Sequence, residues 1–124
     1  RDKFAAFIHL KPHFRRVDHL RHCVQSAVHI PKQFPDIMKQ YQQLAKSCRD
    51  TGPLEEKIQE LVKLGIAIGV NSKGGVRSAV RKALSAGATQ EEIQHAVLLS
   101  TTTTGFPNMI AAMEWAKDVF DKQS

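Results

Sequence analysis

From Phe34 onward, apolar positions recur at helical spacing between short polar or glycine-bearing breaks. Ile37, Tyr41 and Leu44 follow Pro35, a residue suited to a first helical turn, and predict a helix reaching about Cys48. Asp50-Thr51-Gly52-Pro53 reads as a stop and turn. Leu54, Ile58, Leu61, Val62 and Gly65 then mark one face of a long helix ending near Val70. Its second half, from Leu64 to Val70, is apolar on every side, which predicts deep burial. Asn71-Ser72-Lys73-Gly74-Gly75 interrupts the pattern, with Ser72 placed to cap a helix over about 76–86 that stops at Gly87. Thr89-x-x-Glu92 has the form of a capping box and opens a helix through Ile93, Val97 and Leu98. The Thr101–Thr104 run is weak for a helix interior and Gly105 ends it. Pro107 opens a last helix carrying Ile110, Met113, Trp115, Val119 and Phe120. No strand pattern or internal repeat appears, so the expected fold class is all-α.

Composition narrows the class without changing it. A chain of 124 residues is long enough for one core, and 42% hydrophobic with 24% charged residues excludes wholesale disorder. Only 6% is aromatic, so the core is mostly aliphatic, as packed helices allow. The longest apolar run, Ile66–Val70, is too short to span a bilayer, so no membrane partner is expected. Cys23 and Cys48 form neither a C-x-x-C pair nor a metal knuckle, and two thiols make no disulfide framework. Reduced thiols and the absence of a secretory leader pattern after Arg1 lead to a cytoplasmic expectation.

Charge separates the chain into two parts. Residues 1–33 hold seven Lys/Arg against two Asp, whereas the remainder holds eleven against ten, so +5 of the net +6 belongs to the N-terminal third. This suggests a basic, His-rich segment over 1–33 and a helical domain over 34–124. Pro12 and Pro31 leave room in the segment for one short helix around 14–28. It contains five of the six histidines, and His19-x-x-His22-Cys23 shares a helical face. A metal site would need a fourth donor that cannot be named, so none is assigned. No stacking aromatics interleave the basic residues; a nucleic-acid-binding arm is kept only as an alternative function.

Three stretches carry a family likeness. Leu54-Glu55-Glu56-Lys57-Ile58-Gln59-Glu60-Leu61, Ala83-Leu84-Ser85-Ala86-Gly87-Ala88-Thr89-Gln90-Glu91-Glu92-Ile93 and Gly105-Phe106-Pro107 together resemble the carboxymuconolactone decarboxylase and alkylhydroperoxidase D superfamily. The likeness runs from about Phe34 to Phe120. It implies a peroxiredoxin-like helical domain of antiparallel hairpins that assembles into a homo-oligomer, a trimer or a hexamer, without a cofactor. It also implies four roles in the redox branch (a Glu, two cysteines and a relay His), which fall here on Glu60, Ser72, Gly75 and Ala79. Only the Glu is kept. Thiol peroxidase chemistry needs a thiolate and a resolving thiol, which a hydroxyl and a bare glycine cannot supply. The decarboxylase branch places a His at the same relay position, again Ala79.

The remaining residues admit a sharp and a bland reading. Glu60 shares a face with Leu64 and Ala67; buried, it is a usable acid or base, and exposed, it is a surface partner for Lys57 or Lys63. Backbone N–H groups at Ser72, Lys73, Gly74 and Gly75, with Arg77 one turn on, have the makings of an anion site for a small organic acid. Equally, they describe a capped helix start with solvated cations. The threonine run is either a polar lining or packing at a helix end. The expectation is therefore a redox-degenerate family member with Glu60 and Ser72 at the old reactive centre and Lys73, Gly74, Gly75 and Arg77 around an anion. The alternative enzyme is a lyase or isomerase acting on a small carboxylated metabolite through Glu60, with Lys73 and Arg77 as a clamp.

Overall fold

The computed structural model describes residues 29–124. The expected helix over 14–28, the His19/His22/Cys23 group and most of the basic segment lie outside the described residues. Every regular element among the described residues is helical. The chain divides into two compact units, Arg1–Asp50 and Thr51–Ser124.

In the first unit, residues 29–33 are helical and α1 spans Pro35–Asp50. Asp36 lies in its first turn and Arg49 in its last, each at the end where the helix dipole favours its charge. The Lys46–Asp50 pair, four residues apart and 3.7 Å long, is solvent-exposed and adds little. No α1 residue is fully buried, and Ile37, Tyr41 and Leu44 are exposed.

The second unit holds the core. α2 spans Glu56–Gly69, α3 Lys73–Ser85, α4 Gln90–Leu99, the four-residue α5 Thr101–Thr104 and α6 Phe106–Gln123. α2 and α3 form a hairpin across Val70, Asn71 and Ser72, and Asn71 takes the turn at φ 54°. The signals read from sequence act as expected at two breaks. Ser72 Oγ accepts from Gly75 N–H at 3.1 Å, and Gly87 leaves α3 at φ 94°. Thr89 Oγ1 accepts from Glu92 N–H at 3.1 Å, but the Glu92 carboxylate reaches Lys57 Nζ at 3.2 Å, tying α4 to α2. Only half of the capping box pairs internally.

Leu64 and Ile68 from α2, Val76, Val80 and Ala83 from α3, and Ile93 and Val97 from α4 are fully buried. Met109, Ala112, Ala116, Val119 and Phe120 close the core from α6. Small residues at 79, 83, 112 and 116 let the helices approach closely, which is how an aliphatic core fills with few aromatics. The threonine run is a short helix in which Thr101 Oγ1 and Thr104 Oγ1 bond to the carbonyls of Leu98 and Ser100. Those two hydroxyls satisfy local backbone.

One expectation needs correction. The second half of α2 is not buried on all sides: Leu64 and Ile68 are in the core, whereas Ile66 is 62% and Val70 70% exposed. One side faces the core and the opposite side remains apolar in solvent.

Candidate functional site

Glu60 sits one helical turn before Leu64 on the core face of α2 and is only 4% exposed. Its Oε2 atom is fully buried and has no hydrogen-bond partner. The surface reading is therefore excluded for this residue, and Lys57 is engaged by Glu92 instead. A buried polar atom without a partner costs about 1–3 kcal/mol. Such a group in a folded protein calls for a reason beyond packing.

Ser72 and Gly75 meet at the start of α3. The Ser72 hydroxyl is committed as the cap acceptor, and its backbone N–H bonds Ala67 O at 3.0 Å. Gly75 has the close surroundings that a glycine serves: a Cβ there would lie 2.8 Å from Ser72 Oγ and 3.3 Å from Ala67 Cβ. We expect Gly75→Ala to break the Ser72 cap and lower stability by about 1 kcal/mol, despite the better helix propensity of Ala. Urea unfolding of the two proteins measures this, and an unchanged midpoint would contradict it.

The sequence-predicted residues separate into two places. Ser72, Lys73, Gly74 and Gly75 cluster at the α3 start. Glu60 lies seven residues before Ala67, roughly 10 Å along α2 from that cluster at 1.5 Å per residue. Ala79, where the resemblance puts the relay His, is buried at 6% exposure and belongs to the core. Arg77 does not stand free as a clamp: its guanidinium bonds the Asp118 carboxylate of α6, while its Nε is buried without a partner. Lys73 remains at the helix start, partly buried. Asn108, not singled out from sequence, donates to Ile68 O at 2.8 Å and ties the α6 start to the C-terminal end of α2.

A concavity among the described residues lies elsewhere. A cavity of about 500 Å³ runs between α2 and the α4–α5 stretch, with Ile58, Leu61, Val62 and Gly65 on one wall. The other wall presents Ala96 and Leu99, with Glu92, His95, Ser100, Thr103 and Thr104 as its polar members. Neither Glu60 nor any residue from Ser72 to Arg77 lines it. The polar-lining reading of the threonine run fits Thr103 and Thr104 here, but sequence reasoning missed the α4 part of this wall, although residues 92, 95, 96 and 99 recur at helical spacing. Its mixture of charged, hydroxyl and apolar side chains hid the stripe.

Among the described residues no group of three or more His, Cys, Asp or Glu side chains is placed to hold a metal ion. No described helix is long and apolar enough to cross a membrane.

The α2–α3 hairpin, with a buried acid on one arm and a glycine-bearing helix start on the other, belongs to a small all-helical domain. Residues 35–118 match the carboxymuconolactone decarboxylase family, and the chain belongs to it. It is similar to an uncharacterized protein of Methanocaldococcus jannaschii, 29% identical over 94 residues, covering 76% of this chain and 88% of that protein.

Proposed function

We propose that this protein is a thiol-independent member of the carboxymuconolactone decarboxylase family whose remaining chemical group is Glu60. The observation that carries this reading is the burial of its carboxyl group with one oxygen unpartnered. Ser72 supports it from the other side, because its hydroxyl caps α3 instead of standing ready as a nucleophile. In this reading residues 34–124 are the family domain and 1–33 a basic extension. The protein works as a cytoplasmic homo-oligomer, a trimer or hexamer as the family likeness implies, and binds a small organic acid at the α3 start. Lys73 and the amide of Gly74 hold that acid, while the Gly75 amide is taken by the Ser72 cap. Arg77 contributes less than its charge suggests, since Asp118 already occupies it.

Two measurements test the proposal. Hydroperoxide reduction with a dithiol donor should be absent; turnover that disappears on Ser72→Ala would overturn the redox half. Thermal unfolding with dicarboxylates and lactones tests the ligand half, where stabilisation that Lys73→Gln reduces is expected. No shift with any of these acids would remove it. The lyase or isomerase reading uses the same carboxyl group. Its mark would be conversion of a stabilising acid that stops in Glu60→Gln.

A further inference from the structure

We propose that Asp118 decides which acids the α3 start takes, by making it a site for one carboxylate at a time. A dicarboxylate then gains nothing from its second charge. The inference rests on the acid-site reading above and adds the residue that sets its ligand class.

Lys73 and Arg77 are four residues apart on α3, so they share one face at the helix start. Side chains on a helix lean toward its N-terminus, which carries Arg77 over the turn of Lys73 and Gly74. With both cations free, such a site would hold a doubly charged acid more tightly than a singly charged one. The chain does not leave both free. Asp118 on α6 accepts from one terminal nitrogen of the Arg77 guanidinium, whereas Lys73 forms no ion pair among the described residues. Two cations against one carboxylate leave a single net positive charge beside the Gly74 amide. Glu114, four residues before Asp118 on the same face of α6 and exposed, adds negative charge to that side.

The pairing is also incomplete. An arginine fork grips a carboxylate best through two neighbouring nitrogens at once. Asp118 engages one of them, and Arg77 Nε is buried without any partner. A pair made for stability alone would satisfy that buried donor. The Asp118 side chain is 48% exposed, so little packing depends on it. Its effect on the helix start is electrostatic: it occupies the second cation and repels a second carboxylate.

Butyrate and succinate differ by one carboxylate on the same four-carbon chain. Titration calorimetry on the full chain should give them affinities within about threefold of each other, the second charge finding no free cation. Asp118→Asn keeps the shape and removes the charge. Succinate should then bind about tenfold more tightly, as one new charge-assisted contact allows, and butyrate should change far less. Arg77→Gln added to Asp118→Asn should cancel the succinate gain, which separates a freed guanidinium from a general loss of negative field. Asp118→Ser should repeat the Asp118→Asn result, so that a folding fault in one variant does not decide the matter. A wild type that already prefers succinate tenfold overturns the inference and leaves the acid-site reading standing. So does a gain that is equal for both acids or that survives Arg77→Gln. Binding of neither acid to wild type or to Asp118→Asn overturns both. Succinate binding confined to Asp118→Asn supports the inference and overturns the acid-site reading for the wild type, whose own carboxylate would then hold the ligand's place.

Discussion

Glu60→Met is expected to stabilise the protein by about 1–3 kcal/mol, the cost otherwise carried by a buried carboxyl oxygen without a partner. Methionine has similar length and flexibility, so it can occupy the same space beside Leu64 with little repacking. The gain should appear as a higher urea midpoint with an unchanged slope, because the surface exposed on unfolding is nearly the same. Glu60→Gln keeps the shape and the polarity and should stay close to wild type. If Glu60→Met instead lowers stability, the carboxyl group is held by a stabilising contact and is a structural residue. Gained stability together with loss of any conversion of a stabilising acid is the pattern of a functional group kept at the expense of the fold.

The sequence made most of the framework legible because its helices begin and end on strong local signals. Ser72, Gly87, Thr89 and Gly105 each act through their own backbone neighbourhood, so no tertiary information was needed to place them. Glu60 was harder. Periodicity put it on the face of Leu64, but the choice between burial and a surface pair depended on where Lys57 goes. Lys57 reaches Glu92, a partner 35 residues away that the local pattern does not encode. Arg77 poses the same difficulty: one turn into α3 it looks free, and only the packing of α6 brings Asp118 to it. The α4 part of the cavity wall was missed because its apolar members are interrupted by Glu92, His95 and Ser100, which flatten the hydrophobic contrast on which periodicity depends.

The apolar character of α2 misled for a different reason, and a pair of truncations measures it. Leu64 is fully buried, so Leu64→Ala removes its transfer energy and leaves a cavity, with an expected cost of about 3–4 kcal/mol. Ile66 is two residues on in the same helix and equally apolar, yet 62% exposed. In the dissociated chain Ile66→Ala should change stability by no more than about 0.5 kcal/mol. Unfolding followed over a dilution series separates the two contributions. The Leu64→Ala loss should be the same at every concentration, because the core belongs to each chain alone. The Ile66→Ala loss should be near zero at high dilution and grow as copies associate, since association stabilises the folded chain by mass action. Equal losses at all concentrations would mean that Ile66 is buried within one chain and that α2 has a single, wider core face. A growing difference would mean that the sequence was right about an apolar environment on both sides of α2, half of it supplied by another copy.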